Sequence, residues 1–302
     1  MKNVKDMMGQ LDVQNMKQES VYALSKEKHI QNFLKLHHLD TSIMDDYWVE
    51  FLDYNDDYHT CLNCHSLESC PKDNQGMKKN LVYREGEVIL ELESCEYGKA
   101  LEDKRLLLEK FVVTNMNDQL LLTDLTTLNV INDAKNLSLN AQNALAHILK
   151  YIQEPSDQGL FLHGDMGSGK TTLLAGLMNS LARKGKKVGF IHFPTYLIDL
   201  KASFSTGDDE YAMDRLMKVD YLLLDGIGEE NVTAWSRDEI LLTILSYRLL
   251  NHLPTFFTSM YGYKDLKKVY TIKKGDEIRA NTIISKLKAL SIEIMLDGGN
   301  LK

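Results

Sequence analysis

Residues 164–171 read Gly164-Asp165-Met166-Gly167-Ser168-Gly169-Lys170-Thr171, the Gly-x4-Gly-Lys-Ser/Thr pattern of a phosphate-binding loop. Such a loop commits the surrounding chain, because the backbone must curl around a phosphate while successive N–H groups point inward. Glycines at 164, 167 and 169 supply conformations and closeness that a Cβ would obstruct. Before the loop, Leu160-Phe161-Leu162-His163 has the character of a short buried strand. After it, residues 171–183 carry Leu173, Leu174, Leu177, Met178 and Leu181 at helical spacing. Strand, loop and helix therefore follow in the order that aims a helix N-terminus at an anion. The pattern predicts that Gly164, Asp165, Met166, Gly167, Ser168, Gly169, Lys170 and Thr171 bind ATP or ADP. Lys170 would reach the β- and γ-phosphates, and the Thr171 hydroxyl would join a Mg²⁺ shell.

The alternation continues downstream. Residues 188–193, 221–224 and 255–258 read as strands, and 195–204, 210–219 and 234–251 as helices. This predicts an α/β fold, a mostly parallel sheet with helices on both faces and its ligand at the strand carboxyl ends. Asp225 ends the second of these strands and is placed to hold Mg²⁺ or its water. Many hydrolysing ATPases follow this Asp with a second acid that polarises the attacking water, whereas here the next residue is Gly226. Glu229 and Glu230 are close enough in sequence to substitute, although acids before a helix more often complement its positive end.

The first half of the chain differs. Residues 1–150 hold 16 Lys+Arg against 24 Asp+Glu, while residues 151–302 hold 19 of each, so all of the net charge of −8 lies in the first half. Glycine divides the other way, 4 against 14, as expected if tight βα turns crowd the second half. Two domains are expected, 1–106 and 107–302, the first a small α+β unit. All four cysteines lie between positions 61 and 95. Cys61-x2-Cys64, Cys70 and Cys95 offer the four soft ligands of a tetrahedral structural Zn²⁺ site, with His59 or His65 as competitors for the fourth position. Reduced core cysteines and, less favoured, redox chemistry are the alternatives. Residues 81–84 and 88–92 flank Glu85-Gly86-Glu87 as a hairpin that returns the chain to Cys95. Apolar residues at 43, 44, 47, 48, 51 and 52 mark one stripe of a helix, read as a packing face, with a partner-binding face carried by Tyr47 and Trp48 as the lesser reading. No apolar stretch approaches the ~18 to 20 residues of a membrane helix, and no targeting segment opens the chain, so no membrane partner and a cytoplasmic location are expected.

An acidic, cysteine-bearing first domain before a phosphate-loop domain resembles the bacterial primosomal helicase loader family of DnaI. Four strings carry the resemblance: Cys61-x2-Cys64-x5-Cys70, Leu222-Leu223-Leu224-Asp225-Gly226-Ile227-Gly228-Glu229, Trp235-Ser236-Arg237-Asp238-Glu239 and Leu253-Pro254-Thr255-Phe256-Phe257-Thr258-Ser259. The resemblance implies a first domain that docks on the hexameric replicative DNA helicase. It implies a second domain of the AAA+ type, related to replication initiators, that binds ATP and single-stranded DNA. It also implies self-association, since the family's Arg-x3-Arg segment reaches a neighbour's nucleotide. Catalytic roles fall on Asp225, Glu229 and Arg279. Three departures accompany the matches. The family's Asp-Asp-Ile-Gly is Asp225-Gly226-Ile227-Gly228 here. Its Thr-Ser-Asn is Thr258-Ser259-Met260, and a thioether cannot replace an amide donor. Its Arg-x3-Arg aligns with Thr282 and Lys286, leaving Arg279 one helical turn earlier as the substitute. Together they predict nucleotide binding with weak hydrolysis. Two alternatives stand beside this reading: a nonenzymatic nucleotide-bound adaptor of the helicase, and a transposition-helper type of AAA+ ATPase, to which a cysteine-rich acidic first domain would be foreign. The basic residues Lys264, Lys267, Lys268, Lys273, Lys274, Arg279, Lys286 and Lys288 read as a solvated face, with phosphate contact as the competing reading.

Overall fold

The structure is a computed structural model that describes residues 4–126, 138–203 and 209–297. The chain divides into two compact units, Met1–Asp103 and Lys104–Lys302. The first contains helices α1 (Val4–Leu24), α2 (Lys28–Leu36), α3 (Ile43–Asp46) and α4 (Trp48–Leu62) and the antiparallel strands β1 (Met77–Arg84) and β2 (Glu87–Ser94). Helix α2 buries Ile30, Phe33 and Leu34, spaced to lie on one face, against Leu24, Met44, Phe51, Leu81 and Val88. The hairpin turn works because Glu85 (φ 56°) and Gly86 (φ 93°) both take left-handed backbone, as a two-residue type I′ turn demands. The apolar stripe over 43–52 is not one helix. It splits at Tyr47, whose backbone (φ −119°, ψ 29°) leaves the helical region, and Met44 and Phe51 reach the same core from the two pieces.

Helix α5 (Glu96–Leu108) leads into the second unit. There follow β3 (Phe111–Thr114), α6 (Asp118–Leu121), α7 (Leu139–Gln153), β4 (Gly159–His163), α8 (Lys170–Arg183), β5 (Val188–His192), α9 (Phe193–Ser203), α10 (Asp209–Lys218) and β6 (Tyr221–Asp225). A π-helical segment (Trp235–Leu241) then runs into α11 (Leu242–Leu250), and the chain ends with β7 (Thr255–Ser259), α12 (Tyr263–Tyr270), α13 (Glu277–Leu290) and β8 (Ser291–Met295). The helix expected over 195–204 is α9, with position 204 outside the described residues. Two strands lack a counterpart in the sequence reading, β3 and β8, and they form the sheet edges.

The six strands lie in the order β3-β5-β6-β7-β4-β8, every neighbouring pair parallel. Alternate residues face opposite ways, so Leu160, Leu162, Phe190, Leu223 and Phe256 meet α7 and α8 on one face. Phe161, Ile191, Leu222, Leu224 and Phe257 meet α9, α11, α12 and α13 on the other. Each such buried side chain contributes roughly 1.5–3 kcal/mol, and helices cover both faces as the alternating pattern predicts. The register pairs His163 with Ser259 and His192 with Asp225. The carboxyl ends of β4, β5, β6 and β7 therefore share one edge of the sheet, where the strand order places ligands.

Candidate nucleotide-binding site

The loop after β4 uses its glycines as the sequence requires. Gly164 has φ 144°, and a Cβ there would sit 2.0 Å from the Leu296 carbonyl oxygen, so no other residue fits without moving β8's exit. Gly167 (φ 79°) and Gly169 (φ 89°) are left-handed, and Gly169 is the N-terminal cap from which α8 starts. Lys170 is buried; its Nζ donates to the carbonyls of Gly164 and Asp165, each at 2.8 Å, and approaches Ser168 Oγ at 3.4 Å. Burial lowers its ammonium below the ordinary lysine value, against the opposing pull of Glu229, Asp225 and Asp165. Met166 at the loop's tip is 83% exposed and makes no comparable anchor.

Asp225, at the end of β6, is buried and organises the neighbouring groups. Thr171 Oγ1 and Thr258 Oγ1 both donate to Asp225 Oδ1 at 2.7 Å, and the Gly226 N–H donates to Thr258 Oγ1 at 2.8 Å. The structure thus brings together the two residues expected at the metal, Thr171 and Asp225, as adjacent oxygen donors from α8 and β6. Hard oxygen donors beside a triphosphate loop fit Mg²⁺, which binds few protein ligands and keeps several waters. Thr258 was given no role from the sequence; its hydroxyl, following the apolar pair Phe256-Phe257 near the end of β7, was the available signal.

The two candidate acids separate. Glu230 is buried, its carboxylate accepting from the Gly228 N–H at 2.6 Å and the Tyr270 hydroxyl at 3.1 Å, and burial raises its carboxyl above the ordinary range. It anchors the turn to α12. Glu229 is exposed and is the foremost of the carboxylates acting on the Lys170 ammonium. Met260, where an amide sensor was missing, is 40% exposed. Arg279 donates to Asp238 Oδ2 at 2.8 Å. Asp238 also pairs with buried Arg237, whose Nη1 reaches the Tyr270 carbonyl and Asp276. Thr282 is exposed on α13 and turns its hydroxyl back to the Ile278 carbonyl.

The four cysteines all lie in the first unit and none is in a disulfide. Lys72 Nζ donates to Cys61 Sγ at 3.0 Å, and Cys64 Sγ donates to the Ser66 carbonyl at 3.3 Å. Backbone N–H groups of Lys72 and Gly76 lower the Cys70 thiol below its ordinary value, with Cys64 within hydrogen-bonding reach of it. The Cys95 N–H donates to the Gly76 carbonyl at 2.8 Å, against which Gly98 also packs. One short loop therefore touches all four. Among the described residues, however, no three His, Cys, Asp or Glu side chains gather at metal-ligand spacing. His59 is engaged elsewhere, facing Glu27 at 3.6 Å and the His29 ring.

A glycine loop opening a helix at the carboxyl end of a central parallel strand, with a Thr–Asp oxygen pair beside it, defines a phosphate-loop nucleotide-binding protein. Residues 141–298, more than half the chain, match the family described as IstB-like ATP binding protein, and the chain belongs to that family. It is also 26% identical to the replicative helicase loader DnaI of Bacillus subtilis (strain 168), over 99% of this chain and 97% of that one. Among solved structures, a primosome component from Streptococcus pyogenes serotype M3 shares 31% identity, covering 65% of this chain and 97% of its own, with a TM-score of 0.53. A structure of DnaI shares 28%, covering 61% and 96%, with a TM-score of 0.55. The resemblance carried by the four motif strings and the AAA+ α/β fold they imply are both borne out.

Proposed function

We propose that this protein is a replicative-helicase loader: it binds ATP through residues 164–171 and delivers a hexameric DNA helicase onto single-stranded DNA during replication initiation or restart. The observation that carries the reading is similarity to a helicase loader along nearly the whole chain, acidic cysteine-bearing unit included. A match confined to the ATP-binding half would leave a transposition helper as good a reading. Thr171 and Asp225 would hold Mg²⁺, which would neutralise phosphate charge.

In this reading nucleotide acts chiefly as a conformational ligand, and turnover is slow. Gly226 removes the customary second acid, Met260 supplies no amide, and Arg279 is paired with Asp238. Slow here means below about 1 s⁻¹, the low end of enzyme rates. Residues 1–106 form the helicase-docking domain and 107–302 the nucleotide domain. Cys61, Cys64, Cys70 and Cys95 hold a structural Zn²⁺; the lowered Cys70 thiol and the shared loop support this. Contact with single-stranded DNA, self-association and a cytoplasmic location complete the proposal. Among the described residues no helix is long and apolar enough to cross a membrane.

The test is capture of the replicative helicase by the full chain with ATP, with ADP and without nucleotide. Helicase loading that rises with ATP and is lost in Lys170→Ala supports the loader. Equal loading under all three conditions favours a nonenzymatic adaptor, and no capture at all removes the helicase from the reading.

A further inference from the structure

We propose that Glu229 takes over the work of the missing second acid, and that His192, from the neighbouring strand, is the positioning residue that aims it. This rests on the ATP-binding reading above. The geometry begins with Gly226, whose φ of 77° places it in the left-handed region. Gly228 follows at φ 86°, and the turn between them brings the Glu229 N–H onto the Gly226 carbonyl at 3.1 Å. The chain therefore folds back, and Glu229 lies over the residue where the acid is lacking. A Cβ built on Gly226 would stand 3.5 Å from Glu229 Oε2 and 3.2 Å from His192 Nε2. Imidazole and carboxylate thus flank one point above the Gly226 backbone, from which the side chain of a second acid would grow.

Two further observations direct the pair toward the phosphate. Glu229 is the foremost charge acting on Lys170, the side chain that meets the γ-phosphate in this reading, ahead of Asp225. His192 is held from both ends. Its N–H donates to Asn115 Oδ1 at 2.8 Å, its carbonyl accepts from Asn115 Nδ2 at 3.1 Å, and its Nδ1 lies 2.8 Å from Thr195 Oγ1. With the Thr195 hydroxyl donating to Nδ1, Nε2 is the ring nitrogen left to donate, on the side of Glu229. In the proposal, that N–H is the donor that aims the Glu229 carboxylate toward the loop, the two groups standing on either side of the same point above Gly226. Glu230 is unsuited to the role because its carboxylate is spent on Gly228 and Tyr270.

In the reaction, a water oxygen forms a bond to the γ-phosphorus as the bond to the bridging oxygen breaks, and that electron pair leaves on ADP. Glu229 accepts the water's proton and later releases it to solvent. Glycine at 226 favours this arrangement, since its φ of 77° disfavours a side chain and a Cβ there would press on the His192 ring at 3.2 Å.

Phosphate release by the full chain with Mg²⁺ and ATP tests the inference, beside direct measurement of nucleotide affinity. Glu229→Gln should lower kcat by about a hundredfold or more, with nucleotide affinity nearly unchanged. His192→Ala should lower kcat about tenfold at constant KM, and His192→Gln, which keeps a donor, should restore most of it. Turnover in the unaltered chain no greater than in Lys170→Ala overturns the proposal, as does an unaffected Glu229→Gln. His192→Ala matching the unaltered chain, or His192→Gln failing as fully as Ala, removes His192 from it. Melting curves of the His192 variants separate misfolding from loss of aim. Absence of nucleotide binding by the unaltered chain would instead refute the ATP-binding reading itself.

Discussion

Thr258 shows how one hydroxyl can serve two strands. It donates to Asp225 and accepts from the Gly226 N–H, joining the end of β7 to the turn that follows β6. Thr258→Val keeps the shape and leaves a buried N–H unpaired, a loss of about 1–3 kcal/mol. Chemical denaturation should read that loss, with weaker Mg²⁺-dependent nucleotide binding beside it. Asp238 makes a second residue-level case. Hydrogen bonds from Arg237 hold its carboxyl below the ordinary value, burial opposes, and Arg279 adds to the lowering. A depressed folded-state value means that its contribution is full above the unfolded value of ~3.9 and fades as pH falls through the lower folded one. Asp238→Asn should therefore cost about 3 kcal/mol at pH 7, since it strips a carboxylate from buried Arg237. Thermal melts from pH 7 to pH 3 should show the unaltered chain losing more of its stability in acid than the variant does.

At the scale of elements, helices with a clear apolar period were legible and edge strands were not. Helices α8, α9 and α11 fall close to the ranges that the apolar spacing gave them, and α7 begins at a serine cap. Ser138 Oγ accepts from the Ala141 N–H at 3.1 Å and also bonds Asp297. Ser138→Ala should lower the stability of the second unit by about 1 kcal/mol in urea unfolding. Strand β8 escaped notice because α13 passes straight into it: Ser291 turns to extended backbone (φ −152°, ψ 152°) with no glycine or proline to mark the change. Its burial runs without clean alternation, and only pairing with β4 makes it a strand. Strand β3 is four residues long and depends likewise on β5. Conversely, the stripe over 43–52 promised one helix and yielded two, because periodicity does not register a single residue leaving the helical region at Tyr47.

For the whole molecule, the uneven charge gives separate expectations for the two halves. The neutral second half, with lysines along 264–288, should bind single-stranded DNA in a manner that falls steeply with salt, and a flat salt dependence of binding would remove phosphate contact from the account. The acidic first half should carry one Zn²⁺ per chain by elemental analysis. A chelator should then lower the melting transition of that unit alone and abolish helicase capture, because metal binding there is coupled to folding.

The eight residues from Gly164 to Thr171 announced themselves in the sequence, since every group that forms the loop is contiguous and glycine's conformational demands are local. The same holds for Asp225, which ends a recognisable apolar strand. Which groups stand beside the loop was decided by tertiary structure. His192, Asp225 and Thr258 lie at the carboxyl ends of three different strands, and they meet because β5, β6 and β7 lie side by side before β4 in the sheet. Strand order is set by pairing across long stretches of chain, and no local propensity records it. The separate fates of Glu229 and Glu230, adjacent in sequence, follow for the same reason: Tyr270, forty residues from Glu230, draws that carboxylate inward, and Glu229 is left exposed.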